Sequence, residues 1–260
     1  LAERRLPRRA LEAVLGGKGK RSIESRWKAM REMSAQIDLL ISPSEDMQRA
    51  WEEFGSGHSH PCVLVRHGFP DQPKGRAELP ERLTRFAYVG SLVPHKGVHD
   101  LIDAFSTLPH DLELDLYGGL ADATRYVDDL RARAGHPGIR FRGEVAPDQM
   151  RGVMNDFECL IAPSIWRENA PLSIQEAYCH GRLVVASDLG GHVELLRGLE
   201  PLLSEPGDVQ GLAAILRRLS SETGLGRDLA RRIPVIPSLT DHVRELESHY
   251  RSVTPNTDAG

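Results

Sequence analysis

Residues 159–177, CLIAPSIWRENAPLSIQEA, are the stretch from which the fold of this sequence can be worked out. The first four are apolar and predict a buried strand, and Pro171 suits the first position of a following helix. With Asn169 or Ala170 as its cap, this helix would leave N–H groups such as those of Ala170 and Leu172 without partners. Such N–H groups and the positive end of the helix dipole together bind phosphate groups.

Two glutamates flank this helix start. Glu176 lies four residues after Leu172, where its carboxylate could accept hydrogen bonds from vicinal hydroxyls such as those of a ribose. Glu168 precedes the helix and could meet a hydroxylated group on the other side of a bound diphosphate. The spacing by itself is weak evidence, because such glutamate pairs arise often by chance and Glu176 could simply favour the helix dipole.

Two other loops also follow apolar runs and could contact a bound ligand. The apolar run 86–89 ends in Gly90, and the loop that follows contains Ser91 and leads to Lys96, whose mobile charge could stabilise a diphosphate leaving group. An exposed lysine without a binding role is the alternative. The loop 187–194 contains a glycine pair, which indicates either a closely passing ligand or a structural turn.

The wider pattern predicts an α/β protein. Apolar runs alternate with amphipathic stretches; the runs are 86–89, 112–116, 139–141, 159–162, 183–186 and 201–203, and the stretches include 98–108, 123–134 and 147–154. This order predicts a Rossmann-like parallel six-stranded sheet with helices on both faces, whose binding sites lie beyond the carboxyl ends of the strands. Before it come an apolar run at 37–41, a helix from Ser44 to near Phe54 and a run at 62–65. A last helix is predicted at about 239–250, separated from the sheet.

Composition excludes several classes of protein. The 260 residues are 40% hydrophobic and 27% charged with a net charge of -4, which is typical of a globular protein and not of a general nucleic-acid binder. No apolar run approaches the roughly 18 residues that a membrane-spanning helix needs. Three cysteines without a repeated spacing favour a reducing compartment, so we expect a cytoplasmic location. The basic amino end, residues 4–31, allows two interpretations. It is a surface that attracts anionic lipid or a polyanionic acceptor, or it is a solvated helical face, and we favour the solvated face.

Other nucleotide and metal sites are disfavoured. No Gly-x-Gly-x-x-Gly follows any predicted strand, which argues against a nicotinamide-dependent dehydrogenase, and Gly16 to Lys20 lack the spacing of a phosphate-binding loop. His58, His60 and Cys62 lack a second pair of ligands, and His95 lacks a third partner beside His99. We therefore expect no metal site.

The motifs resemble, in order, those of family 4 of the retaining GT-B glycosyltransferases, such as glycogen synthases and phosphatidylinositol mannosyltransferases. The resemblance rests on six matches that cover the loops above: Gly90-x5-Lys96-Gly97, Arg140-Phe141-Arg142-Gly143, Pro163-Ser164, Glu168-Asn169-Ala170-Pro171-Leu172-x3-Glu176-Ala177, Gly181 and Gly190-Gly191-x2-Glu194. It extends over about residues 34–252 and implies the carboxy-terminal, donor-binding half of a GT-B fold.

The resemblance implies a role for each matching residue. Glu176 would bind the donor ribose, Glu168 the hydroxyls of the donor sugar, and Lys96 the diphosphate together with the amides around Asn169, Ala170, Pro171 and Leu172. Glu168 and Lys96 would be the catalytic residues. Gly90 and Ser91 would border the donor, and the backbone from Arg140 to Gly143 would contact its base. Many members carry arginine where this chain has Ser91, so one of two cationic contacts to the diphosphate is missing.

The resemblance also implies an activity and a domain arrangement. We expect the full enzyme to transfer a hexose from a nucleotide sugar to an acceptor hydroxyl, with retention and without metal or other cofactor. This chain alone is expected to bind the nucleotide sugar but to transfer the sugar poorly or not at all. The acceptor would be a saccharide or a lipid-linked molecule, with peripheral membrane contact through a domain that this chain lacks. We expect residues 1–72 to end an incomplete amino-terminal domain, 73–236 to bind the nucleotide sugar, and 237–260 to form a crossover helix and tail. The alternative is a non-catalytic module that binds a nucleotide sugar or a partner.

Overall fold

The computed structural model describes residues 25, 26, 28, 32–34, 36–54, 61–70, 78–119 and 124–253. Most of the basic amino end, the histidines at 58 and 60, the glycine-rich run 16–20 and the predicted boundary between residues 72 and 73 lie outside these ranges. In chain order the elements are β1 (Leu40–Ser42), α1 (Glu45–Phe54), β2 (Cys62–Leu64), β3 (Arg85–Val89), α2 (Val98–Phe105), β4 (Glu113–Tyr117), α3 (Thr124–Arg133), β5 (Ile139–Gly143), α4 (Met150–Asp156), β6 (Cys159–Ala162), α5 (Leu172–Cys179), β7 (Leu183–Ser187), α6 (Gly191–Leu195), β8 (Leu203–Ser204), α7 (Val209–Ser221), α8 (Leu225–Ala230) and α9 (Leu239–Val253).

The main sheet has six strands in the order β5-β4-β3-β6-β7-β8, and its neighbouring strands pair in parallel. From β3 the chain first adds strands on one side and then returns to add the others on the opposite side. Because parallel crossovers are right-handed, the connecting helices of the two halves lie on opposite faces of the sheet. The direction changes between β3 and β6, and ligands of such sheets bind at this switch point, beyond the carboxyl ends of the strands.

Apolar side chains explain why these segments fold as they do. Every residue of β7 is buried, which is expected of a central parallel strand covered on both faces. The helix α2 buries Val98, Leu101, Ile102 and Phe105, whose spacing of three or four residues forms one apolar stripe. Burial of each such side chain stabilises the fold by about 1.5–3 kcal/mol.

The amino-terminal unit, β1, α1 and β2, has a two-stranded sheet of its own. β1 and β2 pair in parallel as a two-stranded sheet, and α1 connects them. The segment after β2 runs beside α9: the Phe69 N–H donates to Pro237 O at 3.0 Å, and the Leu239 N–H donates to Phe69 O at 2.8 Å. His242 Nδ1 donates to Arg66 O at 2.8 Å. The last helix therefore packs against the segment that follows β2.

The structure confirms the parallel six-stranded sheet and differs from the predictions in detail. The strand expected at 201–203 covers Leu203–Ser204, because a 3₁₀ turn, Glu200–Leu202, occupies most of that run. The helix α7 was not predicted. Asp208 caps it, with Oδ1 accepting the Gly211 N–H at 2.9 Å. An aspartate before an apolar stripe, here Leu212, Leu216 and Leu219, is the signal that would have located this helix.

Candidate functional site

A cavity opens at the switch point, between the loops that follow β3 and β6. The space between its walls is about 330 Å³, a figure that includes open solvent. Its walls come from the ends of these strands, their loops and the first turns of α5 and α6: Tyr88, Val89, Gly90, Lys96, Ile161, Ala162, Pro163, Ser164, Glu168, Pro171, Ser173 and His192. Gly90, Lys96, Glu168 and Pro171, all predicted as site residues, thus share one cavity.

Lys96 and Glu168 form an ion pair within this cavity. Lys96 Nζ lies 2.6 Å from Glu168 Oε1, and Ser164 Oγ lies 3.2 Å from the same oxygen. Lys96 is 31% exposed and Glu168 is 18% exposed, so the pair is partly shielded from water. The two residues predicted to be catalytic are therefore in direct contact, although 72 positions separate them in the chain.

Close backbone packing holds the two loops together. The Ile165 N–H donates to His95 O at 3.0 Å. Gly97 has a left-handed conformation, with φ at 68°, and a Cβ there would lie 2.0 Å from Pro163 O. Only glycine fits this contact, which fixes the loop of Lys96 against the loop of Glu168.

The start of α5 faces the same cavity. Pro171 is the N-cap, with φ −60° and ψ 118°, and Leu172 is the first helical residue, so the helix begins one position later than predicted. The ring of Pro171 sets its φ, and its extended ψ is typical of an N-cap residue. In the described part of the chain no side chain caps this helix start. Its first N–H groups, from Leu172 onward, remain available to an anion.

Glu176 lies on α5 but does not line the cavity that contains Glu168. Its carboxyl group is half-buried, and burial raises its pKa above the ordinary glutamate value. Among the described residues none donates a hydrogen bond to this carboxylate or forms an ion pair with it. A half-buried acceptor without donors is suited to ligand hydroxyls, but its predicted role on the ribose stays a prediction.

Three other predicted residues lie around the cavity without lining it. Ser91 is exposed, and its carbonyl accepts the Tyr88 hydroxyl hydrogen at 2.8 Å. Asn169 is exposed, and Ala170 is partly buried beside it. The Gly191 N–H donates to Glu168 O at 2.8 Å, which ties the loop after β7 to this segment.

The side chain of Arg140 points to a different place. Its guanidinium donates to Asp115 Oδ1 at 2.7 Å and to Glu113 Oε2 at 2.8 Å, within an open groove on one face of the sheet. These carboxylates raise the pKa of Arg140 further above its usual range. Gly143 ends β5, and its C=O accepts the Gly118 N–H at 2.8 Å. The predicted contact of this segment with a base concerns its backbone and stays a prediction.

His192 lines the cavity and was not predicted as a site residue. It is 1% exposed, and its Nδ1 donates to Ser187 O at 3.1 Å. Burial lowers its pKa, which favours the neutral imidazole. Its position directly after the glycine pair at a strand end is the sequence signal that could have identified it.

The amino-terminal unit contacts the loop of Glu168. Arg167 binds Asp46 of α1 through two hydrogen bonds of 2.8 and 2.7 Å. Glu194 of α6 accepts the Glu45 N–H at 2.8 Å, which caps the start of α1, and forms an ion pair with Arg66. These contacts join segments about 120–150 positions apart, and no sequence pattern predicts them.

We expect Glu194→Ala to lower the free energy of unfolding by about 3 kcal/mol, because Arg66 and the start of α1 would lose a carboxylate that is 4% exposed. Urea denaturation measures this loss, and amide exchange should accelerate at Glu45 and Asp46. Glu52→Ala, on the exposed side of α1, is the control. Equal losses in the two variants would contradict this role of Glu194.

Within the described residues no group of three or more His, Cys, Asp or Glu side chains could hold a metal ion. None of the helices formed by the described residues is long and apolar enough to cross a membrane.

Residues 84–222 match the family model described as "Glycosyl transferases group 1". The glycogen synthase of Mycobacterium tuberculosis is 28% identical over 210 residues, which cover 75% of this chain and 49% of the relative. The alpha-maltose-1-phosphate synthase of the same species is 24% identical over 202 residues, covering 70% of this chain and 51% of the relative. This chain thus spans about half the length of the curated relatives it matches.

Solved structures share the fold. The sucrose-phosphate synthase from Thermosynechococcus elongatus superimposes with a TM-score of 0.67 at 22% identity, covering 88% of this chain and 62% of that chain. Anabaena Alr3699/HepE, solved with UDP and glucose, superimposes with a TM-score of 0.69 at 21% identity, covering 88% of this chain and 67% of that chain. At this level of identity the likeness establishes the Rossmann-like fold.

Proposed function

Because this chain belongs to the glycosyl transferases group 1 family of GT-B proteins, we propose that its cavity binds a nucleoside diphosphate sugar and that the protein transfers the sugar to an acceptor hydroxyl. The observation that carries the proposal is the meeting of Lys96, Glu168 and the start of α5 at the switch point of the sheet. A cation, a carboxylate and free helix amides are the groups that a sugar diphosphate requires.

The diphosphate would rearrange the ion pair. The N–H groups of Leu172 and Ser173 would bind the diphosphate. Because a diphosphate carries more negative charge than one carboxylate, it would attract Lys96 away from Glu168. Glu168 would then be free to accept hydrogen bonds from hydroxyls of the donor sugar. Glu176, further along α5, would accept those of the ribose. The observed contact of 2.6 Å between Lys96 and Glu168 supports an exchange of partners on binding.

The same groups would favour transfer. The bond between the anomeric carbon and the diphosphate oxygen breaks while a bond to the acceptor oxygen forms, and negative charge grows on the departing diphosphate. Lys96 and the helix amides would stabilise that charge, and a leaving phosphate oxygen would take the acceptor proton. We further propose a hexose donor, retention at the anomeric carbon and independence from metal. The anomeric coupling in the NMR spectrum of the product checks retention.

Calorimetric titration tests the donor site. The chain is titrated with UDP, GDP and ADP and with their common sugar conjugates, in the presence of a chelator and again with Mg²⁺. We expect one nucleotide to bind without metal, and Glu176→Gln to weaken it by about tenfold through unpaired ribose hydroxyls. Glu52→Gln, on the exposed side of α1, is the matched control. Absence of binding to any nucleotide would contradict the proposal.

The affinity for the nucleotide should also fall at acidic pH. Burial raises the pKa of Glu176 above the ordinary glutamate value in the free protein, and the carboxylate form is the one that accepts hydroxyl hydrogens. As the pH falls through this raised pKa, protonation of Glu176 competes with binding, so the nucleotide binds more weakly. Titrations at successive pH values should show this decline in the wild type and a smaller one in Glu176→Gln. Identical pH profiles would exclude Glu176 from the site.

The alternative of a non-catalytic binding module makes the same prediction for binding and differs in transfer. The match to a transferase family favours the enzyme. The identity of the acceptor, a saccharide or a lipid-linked molecule, and the division of the chain into 1–72, 73–236 and 237–260 remain proposals of the same kind.

A further inference from the structure

His192 is the most buried polar side chain that lines the cavity. The residue is 1% exposed and lies in the first turn of α6. The preceding residue, Gly191, donates its N–H to Glu168 O at 2.8 Å, so the backbone of His192 is held beside the loop that contains Glu168. A histidine placed so deeply in a core normally has both ring nitrogens bonded.

One ring nitrogen of His192 is accounted for. Nδ1 lies 3.1 Å from Ser187 O, and because a carbonyl can only accept, Nδ1 carries the hydrogen. The other nitrogen, Nε2, then has a lone pair and needs a donor. Burial lowers the pKa of the ring and keeps it neutral. No described residue donates to Nε2, and this atom is absent from the fully enclosed polar atoms without partners. Nε2 is therefore accessible from the cavity that His192 lines.

The lone pair of Nε2 selects the kind of group that it can bind. A deprotonated diphosphate has only acceptor oxygens and would be repelled, whereas a hydroxyl can donate. Lys96, the nearby cation of the cavity, is held by Glu168 at 2.6 Å. In a nucleotide sugar, the hydroxyls nearest to the diphosphate belong to the transferred sugar.

We propose that His192 accepts, through Nε2, a hydrogen bond from a hydroxyl of the donor sugar, and so contributes to the choice of that sugar. This inference rests on the proposed function. Ser187 orients the ring, and the hydrogen bond from the Gly191 N–H to Glu168 O holds His192 beside Glu168. The imidazole and the carboxylate would therefore bind hydroxyls of the same sugar. Unpaired polar groups in a buried site penalise a sugar that lacks the matching hydroxyl.

Two isosteric variants separate the two ring nitrogens. In His192→Asn the amide nitrogen occupies the place of Nδ1 and can keep the bond to Ser187, while Nε2 is lost. In His192→Gln the amide reaches the place of Nε2 and can keep the acceptor. Each variant is titrated with the nucleoside diphosphate and with its sugar conjugate. We expect His192→Asn to bind the conjugate about tenfold more weakly and the diphosphate unchanged, with His192→Gln closer to the wild type.

The outcomes distinguish this inference from the proposed function. If the wild type binds neither ligand, the proposed function fails. If the wild type binds both and His192→Asn binds the conjugate equally well, the inference about His192 is overturned. Equal weakening of both ligands would show a structural role and would also overturn it.

¹⁵N NMR of the wild-type ring needs no variant: we expect the Nδ1–H tautomer, and a shift of the Nε2 resonance with the conjugate but not with the diphosphate. A shift with both ligands, or with neither, contradicts the inference.

Discussion

Gly97→Ala should destabilise the protein by about 4 kcal/mol. Two penalties combine. A residue other than glycine at φ 68° is strained, and its Cβ would lie 2.0 Å from Pro163 O, where the backbone of a neighbouring loop cannot yield easily. The loops of Lys96 and Glu168 would be forced apart, so nucleotide binding should be lost as well. Urea denaturation measures the change in free energy of unfolding.

Gly207→Ala is the matched control. Gly207 also has a positive φ, of 80°, but a Cβ there meets no atom within 4 Å. Only the backbone penalty of about 1–2 kcal/mol applies at this position. If the two variants lose the same stability, the packing of Gly97 against Pro163 does not hold the site together.

Lys96→Ala should weaken binding of the nucleoside diphosphate by about 10–100-fold, because hydrogen bonds to charged groups contribute about 1.5–3 kcal/mol. The substitution leaves only the helix amides to balance the charge of the diphosphate. Lys28→Ala, which removes an exposed lysine beside Glu32, is the control and should bind like the wild type. Calorimetry with the nucleotide that binds the wild type provides the measurement.

Glu168→Gln tests the exchange of partners that we propose. Neutralising Glu168 releases Lys96 from its ion pair, so the affinity for the diphosphate alone should be unchanged or higher. The additional affinity from the sugar should fall, because a carboxylate accepts stronger hydrogen bonds from hydroxyls than an amide does. A loss of diphosphate affinity as large as in Lys96→Ala would mean that Glu168 acts on the diphosphate side of the site.

The sequence was sufficient for the strands and for the loops that form the site. Apolar runs located the six strands, and parallel order placed the ends that carry Gly90 and Pro163 at one edge of the sheet. The pairing of β3 with β6 brings Lys96 to Glu168. The apolar runs give the order of the strands along the chain but not their order within the sheet, so they do not predict this pairing.

Other features could not be predicted because they depend on contacts between distant segments. The contact of the Arg140 backbone with the donor base stays a prediction, and no sequence pattern shows that the Arg140 side chain lies on the sheet face, where Asp115 of β4 is opposite it in register. The bond between Arg167 and Asp46 joins residues 121 positions apart. His192 has a role only because the loop after β7 folds back onto Glu168.

An amide-resolved NMR titration of the chain with the nucleoside diphosphate tests whether the cavity between β3 and β6 is the donor site. We predict that the largest chemical-shift changes occur at Gly90, Lys96, Leu172 and Ser173. Largest changes at Arg85, Glu113 and Asp156, in the groove on the sheet face and outside the segment predicted to contact the base, or no changes with UDP, GDP or ADP, would show that the nucleotide does not bind in this cavity.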